Sequence, residues 1–243
     1  LRIGAYIVIR KIIDDYKIPE MLGEYFEEKD IGLLLDLAAY SIISENNAGQ
    51  YYPDYAYRHP LFSPGMRIYS DSTVSKFLSS VKDEQIAGFL NDWNTDRDHK
   101  SRIYVSYDST NKNCQAGDVD FVEFGKAKVD LGLPIFNVGL AMDQNNRIPL
   151  FYELYPGSIN DVSQFKFMVD KAVGYGYKNI GFIIDRGYFC KANIRYMDEK
   201  NYGFVMMVKG CKPLVCAIID EHRGTFETRR ACSIAGHHIH GTT

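Results

Sequence analysis

The sequence predicts an α/β chain, with an all-α region over residues 1–100 followed over 101–243 by a mixed sheet built in the order β-β-β-α-β-α-β. Three observations carry this. Apolar residues recur at helical spacing as far as Trp93, the period drops to two after Arg102, and the apolar run Ile180 to Ile184 stands between two helical stretches. A length of 243 residues with 46% apolar content is ample for a core without disulfide or metal staples. No run of about 18 apolar residues is present, which excludes a membrane-spanning helix. The 14 Phe and 18 Tyr exclude a solvated, disordered chain.

The helical region reads element by element. Ile3, Ile7, Ile9, Ile12 and Ile13 follow helical spacing, and Pro19 suits the first turn of a second helix. Asp30 is placed to cap the run Ile31 to Ile43, which ends in the loop-forming Glu45 to Gly49. Tyr51 to Gly65, rich in Tyr and Pro, reads as a loop. Ser70, Asp71 and Ser72 offer caps for a helix through Val74, Phe77, Leu78 and Val81, and Asp83 opens another through Ile86, Phe89, Leu90 and Trp93. Asn94 to Arg102 is polar and reads as a linker.

Beyond it, Ile103, Val105 and Tyr107 alternate with Tyr104, Ser106 and Asp108, as in a half-buried strand. Leu133 to Met142 is a second strand with a turn at Asp143 to Arg147, and Ile148 to Tyr155 is a third, stopped by Pro156-Gly157. Asn160 or Asp161 caps a helix carrying Phe165, Met168, Val169, Ala172 and Val173 on one face, and Gly174 and Gly176 end it. Ile180 to Ile184 has the composition of a strand buried on both faces. A helix over Lys191 to Lys200 and a strand over Phe204 to Val208 complete the order.

Three strands joined by short connections form an antiparallel meander, and the helix from Asp161 then returns the chain to place the next strand parallel to an earlier one. If strand 180–184 pairs with strand 103–107, Asp108 and Asp185 stand at the carboxyl ends of neighbouring parallel strands about 4.8 Å apart. Two carboxylates so placed suit divalent cations. The competing reading is that each Asp closes a turn, the commonest use of Asp after a strand.

At these residues the chain resembles the DDE transposases of bacterial insertion sequences, in the branch typified by insertion sequence 4. The resemblance runs through Tyr107-Asp108-Ser109-Thr110-Asn111, Phe124-Gly125-Lys126-Ala127-Lys128, Pro156 to Asp161, Gly176 to Asn179 and Ile183-Ile184-Asp185-Arg186-Gly187-Tyr188-Phe189. Each segment alone is weak, but together, in this order and spacing, they are specific. The resemblance implies a ribonuclease H-like core using Mg²⁺ or Mn²⁺, with Asp108 and Asp185 as the first and second catalytic, metal-binding carboxylates. It implies DNA transposition by phosphodiester hydrolysis and strand transfer, with double-stranded DNA (transposon ends and target) as partner, a hairpin at the transposon end, and a homodimer of the full-length protein. One ion would activate a water or a DNA 3′-hydroxyl and the other would stabilise the leaving 3′-oxygen.

The family's third acid is a Glu in a Tyr-x2-Arg-x3-Glu-x6-Lys pattern, which this sequence lacks. Tyr55 and Arg58 have the first spacing but are followed by Phe62, and Glu221 and Glu227 lack the surrounding motif. The expectation is therefore a fragment whose third carboxylate would lie beyond Thr243, incomplete as a catalyst, with a non-catalytic DNA-binding remnant of a mobile element as the alternative.

Lys126, Lys128, Arg186, Lys209 and Lys212 surround the expected site and are candidate phosphate contacts, against the plain reading of solvated loop cations. The net charge of −3 is weak evidence against a nucleic-acid binder, softened by the local basic excess from Arg186 to Arg230. Ser109 and Thr110 read as closing a turn. Trp93 and the tyrosines of 51–57 read as core rather than base-stacking surface. Cys211, Cys216, Cys232 and His237, His238 and His240 do not match the ligand spacing of a zinc finger or ribbon. The odd, scattered cysteine count, without a signal peptide, predicts free thiols in a reducing cytoplasm. A phosphohydrolase using Asp108 as nucleophile would require Asp two residues on, where Thr110 stands.

Overall fold

A computed structural model describes all residues except 1, 99–100, 117–118, 129, 226–232, 235–238 and 241–243. The chain divides into two compact units, Leu1–His99 and Lys100–Thr243.

The first unit is helical: α1 (Gly4–Asp15), α2 (Ile18–Leu22), α3 (Glu28–Ser44), α4 (Tyr52–Ala56), α5 (Asp71–Ser80) and α6 (Asp83–Thr95). Ser70 caps α5 by accepting from the Thr73 N–H at 3.3 Å. Three expectations need correction. Glu27, not Asp30, is the N-cap of α3, and Asp30 instead sits in its first turn, where a negative charge favours the helix dipole. The 51–65 segment is not all loop, because Tyr52 and Tyr55 of α4 pack into a core with Leu33, Tyr40, Leu61, Val74 and Phe77. Finally α6 runs on to Thr95, since Trp93 and Asn94 are buried and hold the would-be linker in the helix. Tyr52, Tyr55 and Trp93 are buried in the packing role that their size favours, whereas Tyr51 and Tyr57 are exposed, contrary to expectation.

The second unit holds β1 (Ile103–Asn113), β2 (Ile135–Asp143), β3 (Ile148–Pro156), α7 (Asp161–Gly174), β4 (Ile180–Ile184), α8 (Lys191–Glu199), β5 (Gly203–Met206), α9 (Lys212–His222) and the short strands β6 (Ser233–Ile234) and β7 (Ile239–His240). The five-stranded sheet has the order β3-β2-β1-β4-β5. β1 and β2, and β2 and β3, are antiparallel, whereas β1 and β4, and β4 and β5, are parallel. This is a ribonuclease H-like sheet. The tight turn into β3 is fixed by Asp143, whose carboxylate accepts from the Asn145 and Asn146 backbone N–H groups. Asn160 caps α7 by accepting from the Ser163 N–H at 3.0 Å, and Gly176 takes the left-handed conformation just past its end.

The core lies on one face of the sheet. Ile103, Val105 and Tyr107 of β1 and Phe182 and Ile184 of β4 pack there with Phe165, Met168, Val169 and Ala172 of α7 and Met197 of α8. The opposite face is not covered to the same degree. Ile183 is 41% exposed, so β4 is not buried along the whole of both faces as its uniformly apolar composition predicts.

Two further differences matter. β1 does not end at Tyr107 but continues to Asn113, paired with β2 throughout. Ser109 and Thr110 therefore sit in a strand rather than a turn. The strand β5 starts at Gly203 and ends at Met206, and the helix α9 that follows carried no clear periodicity in the sequence. Four cysteines, Cys114, Cys190, Cys211 and Cys216, are free among the described residues, while Cys232, His237 and His238 lie outside them. Among the described residues no helix is long and apolar enough to cross a membrane.

Candidate active site

The parallel pairing of β1 with β4 ends at the rung Tyr107↔Ile184. Asp108 and Asp185 are the next residues on each strand, so the sheet brings these two acids, 77 positions apart, to one edge. Both are exposed. Asp108 differs from expectation in standing within β1, opposite Leu140 of β2, at the point where the parallel neighbour has left. Asp185 is the last residue before a 3-10 turn, Arg186–Tyr188, and its side chain makes no capping hydrogen bond. The carboxylate of Asp108 accepts from the Ser109 N–H at 2.8 Å through Oδ1.

Ser109 links this edge to a second layer. Its side chain lies on the buried face of β1, where its hydroxyl donates to Asp161 Oδ1 at 2.7 Å. The Tyr155 hydroxyl donates to the same oxygen at 2.8 Å. Burial, followed by the bond to Asp161, raises the Tyr155 pKa well above its ordinary value, so the phenol remains a neutral donor. Tyr107 and Tyr188, packed ring against ring at 5.4 Å, are likewise held protonated, chiefly by burial. The Tyr188 hydroxyl faces Ser109 without closing a hydrogen bond to it.

Gly187 lies between the acids. A Cβ at this position would stand 3.7 Å from Asp161 Oδ2 and 3.8 Å from Asp185 Oδ2. The two oxygens thus border one small space that a side chain at 187 would fill. Hard carboxylate oxygens on an open edge suit Mg²⁺ or Mn²⁺. Asp108 and Asp185 therefore fit a divalent cation in donor chemistry. Among the described residues, no group of three His, Cys, Asp or Glu side chains is arranged to hold one ion.

The basic residues divide. Lys128 donates from Nζ to the Ser109 carbonyl at 2.6 Å, which puts its ammonium beside β1 next to Asp108. Asn111 fastens the loop carrying it, donating to the Lys126 carbonyl at 3.0 Å and accepting from the Lys128 N–H at 2.9 Å. Arg186 follows Asp185 directly and is exposed. Lys209 and Lys212 lie just past β5, where the Met207 N–H bonds the Ile184 carbonyl at 3.3 Å, so their backbone leaves from the Asp185 end of the sheet. Two residues were missed by sequence reasoning. Asp161 was read as a possible helix cap and as part of the Pro156 to Asp161 segment, and Gly187 as part of a segment; no spacing rule links either to Asp108.

Residues 107–224 match the family described as Transposase DDE domain. No curated protein matches the chain by sequence. Among solved structures, a Mos1 transposase paired-end complex with the left transposon end is similar at 13% identity and a TM-score of 0.30, covering 77% of this chain and 64% of that one. A Drosophila P element transposase strand transfer complex is similar at 13% identity and a TM-score of 0.38, covering 85% and 50%. The chain thus spans between half and two thirds of these relatives' lengths. Residues 107–224, which contain Asp108, Asp161 and Asp185, are thus similar to the DDE domain of transposases.

Proposed function

We propose that the chain is the catalytic part of a DNA transposase of the insertion sequence 4-like branch, acting on phosphodiester bonds at transposon ends. The observation that carries this reading is the meeting of Asp108 and Asp185 one residue past the last β1–β4 rung, inside the segment that matches the transposase family. In this reading the two carboxylates hold Mg²⁺ or Mn²⁺. When bound, such ions would supply activation of a water or 3′-hydroxyl and charge stabilisation of the leaving 3′-oxygen. The chain's own residues do the rest. Asp108 is held by β1 and its bond to the Ser109 N–H, and Asp185 is held by the exit of β4. Lys126, Lys128, Arg186, Lys209 and Lys212 contact phosphates of double-stranded DNA, fixing its register without reading its sequence. The full-length protein works as a homodimer.

A second reading, a DNA-binding remnant without catalysis, is favoured by one observation: among the described residues no third acid joins the pair as a ligand. Two carboxylates hold their ions weakly and position them poorly. We therefore expect this chain alone to bind metal and DNA but not to turn over.

Iron-directed backbone cleavage tests the site. Fe²⁺ with ascorbate and peroxide should cut the polypeptide next to residues 108 and 185, and Asp108→Asn or Asp185→Asn should abolish the cuts. Random or absent cleavage in the native chain would refute the metal site. A strand-transfer assay on pre-cut ends with Mn²⁺ separates the two readings. Clear turnover would show that the chain is catalytically complete, whereas footprinting without turnover supports the remnant.

A further inference from the structure

We infer that Asp161 is a positioning residue of this site, hydrogen-bonded to the Asp108 strand and bordering the Asp185 turn. The inference rests on the proposed metal site and goes beyond it, because Asp161 belongs to neither of the two carboxylates expected to hold the ions.

The two oxygens of Asp161 have different duties. Oδ1 is saturated by two neutral hydroxyls, Ser109 at 2.7 Å and Tyr155 at 2.8 Å. Those donors fix the carboxylate's rotation, since a carboxylate gripped at one oxygen by two converging donors has one orientation left to it. Oδ2 then faces the space beside Gly187, across which lies Asp185 Oδ2. Through Ser109 the same carboxylate reaches Asp108, because the residue whose hydroxyl it holds is also the residue whose N–H bonds Asp108 Oδ1. Asp161 thus touches one acid by way of Ser109 and borders the other across Gly187.

Its place on the chain supports this role. Asp161 is the first residue of α7, and the capping work is done by Asn160, whose side chain accepts from Ser163. The Asp161 carboxylate is therefore not needed as the cap and is turned toward β1 and β3 instead. The Tyr188 hydroxyl, buried and without a hydrogen-bond partner, faces Ser109 from the far side of the same cluster. Outer-layer groups of this kind orient the acids that hold a cation and accept from its bound waters.

The test is Mn²⁺ affinity, read from the free-ion signal in electron paramagnetic resonance titrations of the full chain without DNA. Asp161→Asn should weaken Mn²⁺ binding about 10- to 100-fold, the usual effect of losing an outer-layer partner, with an unchanged circular dichroism spectrum. Ser109→Ala repeats the test at the other end of the hydrogen bond. The double variant should be no weaker than the worse single one, because both remove the same link. Asn160→Ala is the control for a merely structural effect: it should lower the melting temperature and leave Mn²⁺ affinity unchanged. If Asp161→Asn and Ser109→Ala both bind Mn²⁺ within twofold of the native chain while Asp108→Asn and Asp185→Asn lose it, the role given to Asp161 is wrong and the metal site stands. If Asp108→Asn and Asp185→Asn also bind normally, the metal site itself is wrong and the inference falls with it.

Discussion

Gly187 is the residue that borders both Asp161 and Asp185. Its φ is not in the left-handed region, so backbone geometry does not require glycine there. An added Cβ would meet Asp161 and Asp185 at ordinary van der Waals distances. Gly187→Ala should therefore fold normally, with a melting temperature within about a degree or two of the native chain, a change typical of uncrowded sites. The methyl would nonetheless occupy the space the two carboxylates border. Mn²⁺ affinity should fall while stability holds, and calorimetric titration beside a thermal melt distinguishes the two. The residue scale was also the hardest to read in advance. Asp108 and Asp185 were legible because each follows an apolar strand of recognisable period. Asp161 was not, because nothing in a helix's first residue says which way its side chain will turn once a neighbouring residue has taken the cap.

Elements were more legible where their pattern was local. The three strands of the meander, α7 and α8 follow from alternation and from helical spacing, and their caps from Asn160 and Gly176. What failed was tertiary in origin. β1 runs six residues past its apolar core because β2 pairs with the polar stretch Asp108 to Asn113, and backbone hydrogen bonds do not depend on side-chain polarity. α4 forms from a stretch rich in turn residues because its tyrosines are buried. The joint between β3 and α7 is the element that delivers Asp161, and it has no room to spare. A Cβ on Gly157 would lie 2.3 Å from the Ile135 carbonyl oxygen and 2.6 Å from that of Glu123. Backbone atoms cannot yield as a flexible side chain can. Gly157→Ala should cost about 1–3 kcal/mol, as overpacking does, and displace the start of α7. Chemical denaturation measures the first effect. A loss of Mn²⁺ affinity larger than that of Asn160→Ala would report the second.

Over the whole molecule the charge balance, −3 with 28 basic and 31 acidic residues, makes the proposed DNA binding depend on where cations are placed rather than on how many there are. Attraction to the phosphate backbone scales with the number of phosphates neutralised, and log K falls with log salt by about 0.9 for each. If Lys126, Lys128, Arg186, Lys209 and Lys212 all reach phosphates, replacing each with Ala should reduce that slope by about 1, whatever the DNA sequence. Fluorescence anisotropy at several salt concentrations gives the slope directly. Lys128 should lose more than the slope alone predicts, since its ammonium also holds the Ser109 carbonyl. A residue whose removal leaves the slope unchanged is a solvated loop cation.

Because β1 outlasts β4, Asp108 occupies a notch where the sheet's ladder is still intact on one side and has already stopped on the other. The stiff side keeps its place without any loop having to order when substrate arrives, so the entropy of assembling that acid was spent once, during folding. The vacated side leaves the Asp108 side chain exposed to solvent. Rigidity and access, usually in competition, are here given to opposite edges of one strand.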